Sequence, residues 1–192
     1  MAYLNDTALF LREFARDPLH TAAVAPSSSA LARAMVAPVP ADATVVELGP
    51  GTGAFTRALR ERDPARHVAV ELNPRWARLI TRRHPGVDVA LADARTLPAL
   101  LAERGISRVD AVVSGLPWVA YADGSLHRVI ADALAPTGVF TQFAYSATRW
   151  APPARRQLAD LRTHFAQVVT TPVVWRNLPP AVVHEARTPL RR

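Results

Sequence analysis

Val45-Val46-Glu47-Leu48 runs directly into Gly49-Pro50-Gly51-Thr52-Gly53, a short apolar segment that ends in an acid and meets three alternating glycines. Few folds accommodate such a run. An apolar run of this length, bounded by turn residues, predicts a buried strand. Gly49, Gly51 and Gly53 let the backbone turn sharply and approach a ligand without side-chain obstruction, and the helix predicted next offers unpaired N–H groups to a nucleotide-type cofactor. The motif is ambiguous alone, because Gly49-x-Gly51-x-x-Ala54 also satisfies the relaxed dinucleotide fingerprint.

Further polar residues recur at regular intervals downstream. Glu47 is followed by Glu71, Asp93 and Ser114, at intervals of 24, 22 and 21 residues. One strand, one helix and two short loops consume about 20 to 25 residues in each repeat of an α/β sheet. The segments 44–48, 67–72, 87–92, 109–114, 138–145, 166–175 and 181–186 read as strands, and 53–62, 74–84, 96–104 and 123–135 as helices between the first five. This alternation predicts a parallel sheet with helices on both faces. Asn177-Leu178-Pro179-Pro180 is too short for a helical crossover, so the seventh strand should run antiparallel to its neighbour. Ligands of open α/β sheets sit at the carboxyl ends of the strands, where the four polar residues would converge.

Two helices are expected before the sheet. One spans about 5–15. The other, about 30–36, is capped by the Pro26-Ser27-Ser28-Ser29 turn. In the first, Tyr3, Leu4, Thr7, Ala8, Phe10, Leu11, Phe14 and Ala15 form an apolar stripe, suited either to a bilayer interface or to a lid over the cofactor. The whole chain, 1–192, is read as one domain, with 1–40 a helical cap or membrane-contact segment and 41–192 a Rossmann-like core.

Composition narrows the chemistry. The absence of cysteine excludes disulfides, thiolate zinc sites and cysteine nucleophiles, and six scattered histidines lack ligand spacing, so no metal is expected. No apolar run reaches the eighteen or so residues of a membrane span, and no signal-peptide pattern opens the sequence. A cytoplasmic protein, peripheral on the inner face of the membrane, is expected. All 23 basic residues are arginine, and from Arg149 onward eight arginines face only Asp160 and Glu185. This basic region suits an anionic partner, phospholipid headgroups or nucleic acid, although an ordinary solvated face reads the same way.

The strand–turn series resembles the class I S-adenosylmethionine-dependent methyltransferases. The resemblance implies a seven-stranded, mostly parallel Rossmann-like sheet with an antiparallel last strand. It also implies that Glu47, Gly49, Gly51 and Gly53 lie under S-adenosyl-L-methionine, Glu71 with Leu72 holds its ribose, and Asp93 with Ala94 its adenine. Ser27 and Ser28 would sit near the methionine end, Ser114 would be a further cofactor contact, and S-adenosyl-L-homocysteine would be the product. In amine methyltransferases a turn such as N-L-P-Y follows strand four, its Asn accepting from the target nitrogen. This chain has Gly115-Leu116-Pro117-Trp118 there, so side-chain acceptance is lost and the carbonyls of Gly115 and Leu116 remain, beside Trp118, which suits either a cationic amine or core packing.

Ser114-Gly115-Leu116-Pro117, Phe10-Leu11-Arg12-Glu13-Phe14, Tyr145-Ser146 and Val174-Trp175-Arg176-Asn177-Leu178-Pro179-Pro180 together resemble the bacterial phospholipid N-methyltransferases, similar in turn to rRNA adenine dimethyltransferases. That likeness implies stepwise methylation of phosphatidylethanolamine towards phosphatidylcholine at an anionic or zwitterionic membrane surface. Gly115, Leu116, Trp118 and Tyr145 become candidates for the transfer site, and Tyr121, Arg149 and Arg176 for lipid contacts, with Asp123, Tyr121 and Tyr145 as candidate bases. Methylation of adenine in nucleic acid, and of a soluble small molecule, are the alternatives.

Overall fold

The computed structural model describes residues 27–191, and the helix expected at 5–15 lies outside them. Helix α1 (Ser29–Val36) begins where Ser28 accepts a hydrogen bond from the Leu31 N–H at 3.1 Å, a cap worth about 1 kcal/mol. After it come β1 (Thr44–Leu48), α2 (Ala54–Arg60), β2 (Arg66–Glu71), α3 (Pro74–Arg83), β3 (Asp88–Leu91), α4 (Leu97–Glu103), β4 (Val109–Ser114), α5 (Ser125–Ala133) and β5 (Leu134–Tyr145). The order ends with α6 (Pro152–His164), β6 (Phe165–Thr170) and β7 (Ala181–Pro189).

One seven-stranded sheet has the order β3-β2-β1-β4-β5-β7-β6. The first five strands pair in parallel, while β7 is antiparallel to both β5 and β6, as the short Pro-rich link predicts. The β6–β7 connection is longer than that link, because β6 stops at Thr170, two residues before Pro172 with its missing N–H. Helix α6 is absent from the sequence reading. Its polar surface, with Leu161 as its fully buried residue, leaves little apolar periodicity to read.

Period-two alternation sends the sheet's side chains to two cores. Val46, Leu48, Val68, Val70, Val112 and Phe140 pack with Leu97, Leu126, Ile130 and Leu161 on one face. On the other, Val45, Ala111, Val113, Val139 and Val183 pack with Leu31, Met35, Phe55 and Leu59. Each such burial contributes about 1.5–3 kcal/mol, so the strand ends are held on a rigid platform. The order reverses between β1 and β4, and a crevice opens at that point, outside the strands' carboxyl ends.

Candidate active site

Glycines 49, 51 and 53 all take positive φ, at 68°, 52° and 92°. A Cβ on Gly49 would lie 2.7 Å from the Leu116 side chain, whereas one on Gly51 would meet nothing within 4 Å. Gly51 therefore faces open space, which a side chain would fill. The turn is tied at both ends: the Gly49 N–H donates to Val70 O at 2.9 Å and the Gly53 N–H to Pro50 O at 2.9 Å.

Glu71, at the end of β2, closes one side of this cradle. Its Oε2 accepts from the Gly51 N–H at 3.1 Å and its Oε1 from the Asn73 N–H at 2.9 Å. Burial pushes its carboxyl above the ordinary value, opposed by backbone N–H donors from Asn73, Gly51 and Leu72 and reinforced by repulsion from Glu47. Asn73, not Glu71, caps α3, through a 2.9 Å bond from the Arg75 N–H. Leu72 is exposed beside it. Asp93 follows β3 and caps the Ala94–Thr96 turn through Oδ1, which accepts from the Arg95 N–H at 2.8 Å, while Oδ2 takes no hydrogen bond among the described residues.

Glu47 and Ser114 depart from expectation. Glu47 has no surface open to a ligand; its oxygens take the Thr56 hydroxyl at 3.1 Å and face His67 Nε2 at 3.0 Å. It anchors the first turn of α2 from below the crevice. His67 shares the face of Glu47 because Val45 pairs with His67 and Glu47 with Ala69, a proximity that period two reveals only once the register is known. The Ser114 hydroxyl is likewise buried, accepting from the Leu116 N–H at 3.2 Å and from the Tyr121 hydroxyl.

Tyr121 is thereby corrected as well. Its ring is buried and stacks on His127, with centroids 4.5 Å apart, and burial pushes its hydroxyl far above the usual range. It braces the turn after β4 from behind, where substrate has no access. His127 in turn faces Asp160 Oδ2 at 2.6 Å and Gln142 Oε1 at 3.2 Å, so α5, α6 and β5 converge beneath the same turn.

The turn itself carries Gly115, Leu116 and Trp118. The Gly115 N–H donates to Leu48 O at 2.8 Å, and a Cβ there would stand 2.7 Å from Gly49 O and 3.3 Å from the Phe55 ring. Position 115 thus has no room for a side chain. Neither the Gly115 nor the Leu116 carbonyl accepts a hydrogen bond among the described residues. Trp118 is exposed, which rejects core packing. Tyr145 ends β5 and packs edge-on against Phe143 at 5.6 Å, which in turn packs against Phe55 at 6.0 Å.

Arg95 joins the two halves of the crevice. Its guanidinium donates to Ala120 O and to Asp123 Oδ2, each at 3.1 Å, and stands 3.6 Å from Asp93. Asp123 is engaged: hydrogen bonds from the Ser125 hydroxyl and N–H, then Arg95, hold its carboxyl below the ordinary range. Asn177 was legible only as part of a motif. Buried, it accepts from the Ser28 N–H at 2.9 Å and donates to Pro179 O at 2.7 Å, binding the start of α1 to the loop before β7. Ser27 precedes that contact, while Arg149 and Arg176 are exposed beyond the ends of β5 and before β7.

A positive-φ glycine cradle beside a buried carboxylate, at the switch point of this sheet order, defines a class I S-adenosylmethionine-dependent methyltransferase. Residues 46–141 match the family described as Methyltransferase domain, and the chain belongs to it, with S-adenosylmethionine as its cofactor. Across nearly its full length it is 35% identical to the ornithine lipid N-methyltransferase of Singulisphaera acidiphila, over 96% of this chain and 97% of that one. Among solved structures, the N-methyltransferase NodS from Bradyrhizobium japonicum WM9 superposes with a TM-score of 0.63 at 15% identity, covering 96% of this chain and 99% of NodS. Aeropyrum pernix fibrillarin, solved with natively bound S-adenosyl-L-methionine, gives 0.61 at 19%, covering 82% and 72%. Both likenesses concern the fold.

Proposed function

We propose that this enzyme methylates the primary amine of a membrane lipid. The observation that carries the reading is the 35% identity to an ornithine lipid N-methyltransferase, which extends beyond the cofactor half to nearly the whole of both chains. Phosphatidylethanolamine and ornithine lipid both present an unhindered alkylamine, and the reading covers both sources.

When bound, S-adenosylmethionine supplies an electrophilic methyl group on a sulfonium. In this reading Gly51 allows close approach of the backbone, Glu71 accepts from the ribose hydroxyls, and Asp93 with Ala94 receives the adenine edge. The Gly115 and Leu116 carbonyls are two acceptors for the N–H groups of the incoming amine, orienting its lone pair. Alignment and exclusion of water contribute up to about 7–11 kcal/mol in well-oriented transfers, and no protein nucleophile is needed. Trp118 offers its ring face to the cationic product. Tyr145, at the end of the Phe55–Phe143 ladder, lines the acceptor side, and Arg149 and Arg176 pair with the lipid phosphate or carboxylate.

Purified enzyme, radiolabelled S-adenosylmethionine and anionic vesicles carrying either phosphatidylethanolamine or ornithine lipid provide the test. Label is expected in methylated forms of one of these lipids, and separation of mono-, di- and trimethylated species counts the steps. Label entering RNA adenine, or no lipid label although calorimetry shows donor binding, would overturn the lipid reading while leaving the methyltransferase assignment intact.

A further inference from the structure

Three of the four tryptophans are exposed, and all three lie at one end of the sheet, beyond the carboxyl ends of β4 and β5 and the start of β7. Trp118 follows β4, Trp150 follows β5, and Trp175 precedes β7, with relative exposures of 56%, 72% and 76%; Leu178 reaches 79%. The fourth, Trp76, is buried in α3. Strands β4, β5 and β7 are consecutive neighbours, so adjacent ends stand about 5 Å apart. The segments are also tied directly. The Ser146 N–H donates to Pro180 O at 2.8 Å, the Val174 N–H to Ala181 O at 2.7 Å, and α6 packs against the 118–121 turn.

Basic residues flank Trp150 and Trp175, and acids are missing from the stretches that carry them. The stretches 146–159 and 171–184 hold Arg149, Arg155, Arg156 and Arg176 and no Asp or Glu. The Arg149 guanidinium sits 4.6 Å from the Trp150 ring centroid. Amphipathic rings beside cationic heads match the headgroup layer of an anionic bilayer, where one end of each ring is dry and the other wet. A solvated monomer gains nothing from exposing such a group of rings together.

We propose that Trp150, Trp175 and Leu178, with Trp118 and the flanking arginines, form a docking face that enters the headgroup layer of an anionic membrane. The inference rests on the lipid reading of the site and specifies how the enzyme meets its substrate. The face lies on the β4–β5–β7 side, beside Gly115 and Leu116 and away from Glu71, so the acceptor side opens on the bilayer and the donor side on water. Arginine attraction to the anionic surface and burial of ring area act together to hold the face there.

The test is co-sedimentation with phosphatidylglycerol/phosphatidylcholine vesicles that contain no amine lipid, so it does not depend on turnover. The double variant Trp150→Ala/Trp175→Ala is expected to lower the vesicle partition coefficient about tenfold, with unchanged circular dichroism and unchanged S-adenosylhomocysteine binding. Val169→Ser, an exposed position on the outermost strand β6 and outside the tryptophan cluster, should match wild type. Tryptophan emission should shift to the blue on vesicle addition and be quenched by bromine placed near the headgroups, a readout for the wild type alone. Unchanged partition in the double variant, or tighter binding to RNA than to vesicles, would overturn the docking face. Docking that persists without lipid methylation would retain the face and discard the lipid substrate.

Discussion

Glu71 sits where burial raises its carboxyl above the ordinary value, and two backbone N–H donors, from Gly51 and Asn73, oppose that effect. A buried acid held in this way retains free lone pairs for hydroxyl donors. Hydrogen bonds to charged groups contribute about 1.5–3 kcal/mol, so Glu71→Ala should weaken S-adenosylmethionine binding by more than about tenfold in calorimetry. Unchanged affinity would refute the assignment. Residue by residue, the sequence displays chemistry better than orientation. The three glycines, Glu71 and Asp93 are visible because their spacing follows the strand repeat. The inward turn of Tyr121, and the use of Glu47 and Ser114 as internal anchors, depend on side-chain directions set by a short 3₁₀ turn and by packing.

At the scale of elements, β6 and β7 carry a pH-dependent contribution to stability. The Thr170 hydroxyl and His184 Nδ1 lie 2.9 Å apart across this antiparallel pair. Burial, then Arg162 and His127, pulls the His184 ring down from 6.5 to about 4. Above pH 6.5 the ring is neutral in both folded and unfolded chains, and its contribution is fully present. As pH falls from 6.5 towards 4 only the unfolded chain takes up this proton, so stability declines by up to about 3 kcal/mol. Urea unfolding of wild type against His184→Gln should show that gap closing across this window; parallel curves would refute it. Elements were legible in proportion to their apolar rhythm. Strands β1 and β4 were read to the residue because both are buried runs ended by turn chemistry. Helix α6 was not, since it starts with Pro152-Pro153 and turns mostly polar residues to solvent.

For the molecule as a whole, the parallel run of the first five strands and the reversal of β7 were readable from the alternation of strands and helices and from the Pro-rich link before β7. The strand order itself was not readable, because handed crossovers still leave several arrangements. Which loops touch across the crevice was not, since those contacts join positions about 65 residues apart in the chain. One of them has a corollary for binding. The space a Cβ would take at Gly49 is held by Leu116, and that at Gly115 by Gly49 O and Phe55, so the glycine turn after β1 and the turn after β4 interlock atom against atom. Turns packed this closely give each ligand a hold on the other, and thermodynamic reciprocity makes any such effect the same factor in both directions. Gly115→Ala, a change on the acceptor side, should therefore loosen S-adenosylhomocysteine by about fivefold or more in calorimetry. An unaltered constant would show two loops that respond independently; a shifted one would mean that the grip on the cofactor is tuned from the far side of the crevice, through a single steric contact.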